Sequence, residues 1–190
     1  MHTVGVAHQP EGTPPARDWR WPRPPLWWWL DQGLAGGIVA GVPLAVFEIV
    51  AVGGGRSARI AAGIVTAGAA LDPGYPLGSA VVTGGALHVL LSALFGAFFG
   101  LVMSSAEMSP STAIVVGAGG LYGVALWAVN FLAVAPLAGW EWIRANGDPL
   151  DQLPAHAVFY GTVLGYYMDR ALDNARRARA SGPGDRRDAA

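Results

Sequence analysis

The chain contains no cysteine and no lysine, and it carries little charge of either sign. Without cysteine there is no disulfide, thiolate metal site, iron–sulfur cluster or covalently attached c-type haem. Imidazole and carboxylate are the only strong ligands left. With no lysine, all 12 basic residues are arginine, which fits a high-GC coding bias, and a net charge of -1 supports no nucleic-acid footprint. Charged residues make up 13% of the 190 positions, about half the share in soluble domains. No GxSxG is present, and neither Ser92 nor Ser104 has an adjacent base, so a nucleophilic triad is not supported. Gly53, Gly54 and Gly55 are followed by Arg56 and Ser57, without the lysine of a phosphate-binding loop. The residues therefore point away from an enzyme.

What the chain has in abundance is apolar length and glycine: 53% hydrophobic residues, 27 glycines and a mean hydropathy of +0.38. Four spans of about 20 residues account for nearly all of it. The expected fold is all-α, an integral membrane four-helix bundle with an interfacial or re-entrant helix between spans one and two. Residues 1–25 form a proline-rich, disordered arm with no apolar run suited to a signal peptide. The bundle occupies 26–169, with spans at about 33–52, 77–103, 112–134 and 153–169, and an Arg-rich tail follows over 170–190. Trp27 to Trp29 and Trp140 to Trp142 supply interfacial aromatics. Pro43 lies inside span one and predicts a kink by freeing the Val39 carbonyl. Residues 56–71 open with Arg56 and Arg59, and their apolar run is too short to cross. A turn over 72–76 and a polar link over 104–111 follow.

Arginine placement orients the bundle. Arg17, Arg20 and Arg23 in the arm and Arg170, Arg176, Arg177, Arg179, Arg186 and Arg187 in the tail outnumber Arg56, Arg59 and Arg144 on the other side. Both termini are therefore expected to be cytoplasmic. A faint repeat pairs glycine-dense spans one and three with spans two and four, each of which places a histidine before a glycine pair. Gly37 and Gly41, Gly96 and Gly100, Gly119 and Gly123, and Gly161 and Gly165 have the spacing that lets helices pack closely in lipid, within one bundle or between copies.

Four polar residues interrupt the apolar runs: Glu48, His88, Asn130 and His156. Such groups are costly in hydrocarbon unless paired or hydrated. At about 1.5 Å per residue, Glu48 and Asn130 lie about 6 Å below the outer ends of their spans and His88 roughly 15 Å in. His156 lies within a turn of the outer end of span four. All four thus fall in the outer half, one from each helix. A carboxylate facing imidazole can relay protons or bind a cation. His88 and His156 could alternatively hold a b-type haem or a metal ion, although the ligand count for a metal is thin. Hydrogen bonding between helices is the plainest role for each residue.

The glycine-rich opening (Gly33, Gly36, Gly37, Gly41), the run HVLLSALFG over 88–96, Trp127, Asn130 and Pro136, and the run HAVFYGTVLG over 156–165 resemble the small bacterial inner-membrane proteins of the YagU type, over roughly residues 30–170. That resemblance implies a four-span fold and a loose association with acid tolerance, with no catalytic residues. Three functions remain open. The first is a non-enzymatic accessory subunit of a larger membrane complex, or a homo-oligomer, with lipid and other membrane polypeptides or itself as partners and no nucleic acid. The second is a small proton or ion permease using the Glu/His cluster. The third is a bis-histidine haem carrier.

Overall fold

The computed structural model describes residues 23–105 and 111–180. The proline-rich arm as far as residue 22, most of the 104–111 link with Pro110, and the glycine-, proline- and arginine-containing end of the tail lie outside the described residues. Every regular element among those described is helical.

Helix α1 (Leu26–Glu48) runs on into a π-helical turn (Ile49–Gly53), and α2 (Gly55–Val65) follows. After a 3₁₀ turn (Ala69–Leu71), α3 covers Leu77–Ser105. Helix α4 (Thr112–Ala128) widens into a π segment (Val129–Val134) and closes with Ala135–Leu137. The short α5 (Glu141–Ala145) leads to α6 over 152–180, which begins with one α turn, passes through a π segment (Ala155–Thr162) and finishes as regular helix (Val163–Ala180).

Three of these helices are long and apolar enough to cross a membrane: Leu26–Gly53, Leu77–Ser105 and Thr112–Leu137, at 28, 29 and 26 residues. At about 1.5 Å per residue each exceeds the roughly 30 Å hydrocarbon thickness. Their outer faces are apolar, with Val42, Val82 and Leu121 60 to 71% exposed, while glycine and alanine face inward. That inside-out arrangement suits lipid as the surrounding solvent. Helix α6 does not meet the same measure: its apolar run carries His156, Tyr160, Tyr166 and Tyr167 and ends at Asp169 and Arg170.

Glycine determines how the helices pair. A Cβ on Gly33 would overlap the Gly96 carbonyl, one on Gly37 the Ser92 carbonyl, and one on Gly100 the Trp29 carbonyl. In α4 and α6, Gly119 meets the Gly161 carbonyl and Gly123 the His156 carbonyl, while Gly165 meets the Val115 carbonyl. Gly41 differs, since it faces the Ser92 side chain rather than backbone. Two antiparallel hairpins result, α1 with α3 and α4 with α6, each closed at backbone distance.

The hairpins meet along α1 and α6. Gly36 faces Tyr167 and Leu164, and Phe47 stacks on Phe159 with centroids 4.8 Å apart. Between α3 and α4 larger rings fill the space, with Phe98 and Phe99 against Tyr122. Each hairpin carries a short helix in its connection, and the two short helices touch where Trp142 covers Gly63 and Gly68. Arg59 is committed to structure: its guanidinium donates to the carbonyls of Ala70, Asp72 and Tyr75 at 3.2, 3.1 and 2.8 Å, tying α2 to the turn before α3.

Candidate functional site

Hairpin pairing and short helices together line a partly open cavity of about 450 Å³. It lies at the end of the bundle holding α2 and α5, away from the start of α1 and the finish of α6. Helix α1 contributes Leu44, Glu48 and Val52, and α3 contributes residues from Leu87 to Phe95, including His88 and Ser92. From α4 come Leu126, Val129, Asn130, Phe131 and Val134, and from α6 come Gln152, His156 and Tyr160. Ser57, Ile60 and Ile64 of α2 form one wall, with Trp140, Ile143 and Asn146 opposite.

Three π segments border this space, at the end of α1, the end of α4 and the start of α6. A π turn carries an extra residue relative to an α turn, so it widens the helix and re-aims side chains, and such turns are frequent at functional sites. Here they place Val52, Asn130 and His156 on the cavity. Arg144 donates to the Phe131 carbonyl at 3.2 Å, taking up one acceptor of the widened α4 turn. Thr162 does the same for the Ala157 carbonyl in α6, at 3.0 Å.

The polar residues singled out from sequence, Glu48, His88, Asn130 and His156, all line this one cavity. The His88 Nε2 bonds the Gly41 carbonyl at 2.8 Å, and the His156 Nδ1 bonds the Gln152 carbonyl at 2.9 Å. A carbonyl only accepts, so each contacting nitrogen carries a proton, and in the neutral ring the other nitrogen is an acceptor. Phe131 stands edge-on to His156, with centroids 5.8 Å apart and planes at 84°. Among the described residues the Glu48 carboxylate forms no hydrogen bond or ion pair, although its backbone carbonyl accepts from the Ser57 hydroxyl at 2.7 Å.

Two tyrosines tie the hairpins together, Tyr160 on the cavity lining and Tyr122 outside it. Tyr160 donates to the Ser92 carbonyl at 2.6 Å and Tyr122 to the Phe95 carbonyl at 2.8 Å, so both hydroxyls cross from one hairpin to α3 of the other. Tyr160 and Ser92 are buried. Sequence reasoning passed over Tyr160, Ser57 and Gln152. A tyrosine in an apolar run is an available signal, but Gln152 sits in a wet connecting segment and nothing nearby marks it.

A bis-histidine haem fits this geometry poorly. His88 spends Nε2, the nitrogen farther from its backbone, on Gly41. Iron would have to approach Nδ1, which the ring's own Cβ crowds. No group of three or more metal-ligating side chains gathers among the described residues. The sequence-predicted glycines lie in the helix contacts beneath and beside the cavity, with Gly123 against the His156 carbonyl as the closest link between packing and site. Comparison with protein-family models, with curated proteins and with solved structures finds no match.

Proposed function

We propose that the chain is a four-span bundle in a bacterial inner membrane, with both termini cytoplasmic, and that it moves protons or cations through the cavity. One observation carries the reading: Glu48, His88, Asn130 and His156, one from each long helix, line a single cavity on the side away from the termini. Dispersed hydrogen bonding would not require that convergence. Polar groups within spans commonly mark ion or proton paths.

Helix α6 serves as the fourth crossing despite its charged end. It is sheltered by α1 and α4, with Tyr160, Leu164 and Met168 at 2% exposure or less, so protein replaces lipid around it. Asp169 is paired with Arg170 at 3.0 Å near its cytoplasmic end. Passage beyond the cavity requires the Tyr160 and Tyr122 contacts to part. Those two hydroxyl bonds join the hairpins, while glycine contacts hold each hairpin together internally, so the hairpins are the natural moving units. The resemblance to YagU-type proteins, with its association with acid tolerance, points toward proton handling. The reading is non-enzymatic.

The test is flux in proteoliposomes. Wild type should dissipate an imposed proton or monovalent-cation gradient, and Glu48→Gln and His88→Ala should each slow it at least tenfold. Equal flux in all three proteins would refute the reading.

A second reading, as an accessory subunit or homo-oligomer, has its own support. Gly78 and Gly85 on α3 and Gly117 on α4 face open space. Small residues unused by packing within the chain are available to another helix. Native mass spectrometry in mild detergent decides it: copies of this chain or added polypeptides favour assembly, and a lone 19.7 kDa species refutes it.

A further inference from the structure

Four donors in the cavity are committed to backbone carbonyls: His88 to Gly41, His156 to Gln152, Ser57 to Glu48 and Tyr160 to Ser92. Asn146 gives one of its two N–H groups to the Trp142 carbonyl. Donors remain on the Ser92 hydroxyl, the Asn130, Asn146 and Gln152 amides and the Trp140 indole.

Acceptors are left over. The Glu48 carboxylate accepts no hydrogen bond among the described residues, although it lies close enough to His88 to interact with it electrostatically. The Gln152 Oε1 is buried with no hydrogen-bond partner among the described residues. Buried polar atoms are satisfied in the great majority of native sites, so an orphaned acceptor points to a donor that arrives from outside. In the neutral ring form the second nitrogens of His88 and His156 are acceptors as well. No arginine lines the cavity.

The remaining walls are apolar and aromatic, among them Ile60, Leu91, Phe95, Leu126 and Phe131. A hard inorganic cation would meet only one carboxylate and few neutral oxygens there, against the six or more oxygens that calcium or magnesium takes. A ligand with a charged head bearing N–H donors and an apolar body matches both halves of the lining. Aromatic faces also attract such a head. The volume of about 450 Å³ is ordinary for small-molecule sites.

We infer that the cavity binds an organic ammonium ion, its N–H groups donating to the Glu48 carboxylate and the Gln152 Oε1 and its apolar body lying against Phe95, Leu126 and Phe131. This rests on the cation reading above and names the class of cation.

The experiment is calorimetric titration of the full-length protein in detergent with three probes of one shape: 2-phenylethylammonium, 2-phenylethanol and phenylacetate. Saturable binding of the ammonium at least tenfold tighter than the alcohol is expected, with no binding of the acid. Glu48→Gln should weaken the ammonium at least tenfold, and Gln152→Leu several-fold, with alcohol binding unchanged in both. Wild-type melting and elution profiles for these variants establish that they are folded, and Gln152→Leu supplies an independent arm should Glu48→Gln misfold. Alcohol and ammonium binding equally, no saturable ammonium binding, or insensitivity to both substitutions overturns the inference. Glu48-dependent proton flux without ammonium binding would overturn this inference alone and leave the permease reading standing. Loss of both would refute the two together.

Discussion

Replacing Gly37 by alanine is the sharpest probe of how the bundle holds together. The added Cβ would overlap the Ser92 carbonyl oxygen and lie 2.9 Å from the Gly96 Cα. Carbon atoms rest at about 3.5–4.0 Å, so α1 must move off α3 by about 1 Å at that turn. Both obstructing groups are backbone, and no side-chain rotation relieves them. Overpacking of this kind costs about 1–3 kcal/mol. With backbone on both sides the upper end applies, about 3 kcal/mol, or roughly 100-fold in the folded-to-unfolded ratio. Gly85→Ala in α3 is the matched control, because nothing lies within 4 Å of its Cβ. That change should be neutral, or stabilising by up to about 1 kcal/mol through helix propensity. Denaturation by increasing SDS in mixed micelles, followed through the fluorescence of the 8 tryptophans, measures both variants. Equal stability of Gly37→Ala and Gly85→Ala would refute the close-contact account of the hairpin.

Two other substitutions separate the tie between the hairpins from the wall of the cavity. Tyr160→Phe keeps the buried ring but removes the hydroxyl that reaches the Ser92 carbonyl, and should cost about 1 kcal/mol in the same unfolding assay while raising the rate of any flux through the bundle. An unchanged melting curve and rate would show that this bond holds nothing shut. Arg59→Ala removes three contacts to carbonyls at 70, 72 and 75 and should speed hydrogen exchange over 69–75 roughly 30-fold, equivalent to about 2 kcal/mol of local stability. Exchange at the wild-type rate would mean that the turn is held by other means.

The polar cluster and the glycine faces are legible in the sequence for a plain reason. An ionisable or amide side chain in an apolar run is conspicuous, as are glycines four apart, because lipid penalises the first and close helix contact needs the second. What encloses Glu48, His88, Asn130 and His156 is less legible. Gln152 and Ser57 reach the cavity only because α2 and the start of α6 fold over its end, which is a tertiary event. The π segments at Ile49–Gly53, Val129–Val134 and Ala155–Thr162 carry no sequence signature, yet they aim three helices at the cavity. Arg59 reads from sequence as an interfacial charge, and only the fold reveals the three carbonyls it serves. Helix α6 presents the opposite difficulty. Its mean hydropathy is lowered by Asp169, Arg170 and Asp173, although its middle is among the most buried parts of the chain. Hydropathy reports exposure to lipid, and a helix enclosed by its neighbours escapes that measure.

The most direct measurement is one-sided thiol labelling of Asn130→Cys, which would be the only cysteine in the chain. In oriented vesicles a membrane-impermeant maleimide should modify it from the face opposite the termini and not from the terminal face, and 2-phenylethylammonium should slow the reaction. Modification from the terminal face, or none from either, would contradict a water-accessible cavity holding Glu48, His88, Asn130 and His156 on the side away from the termini.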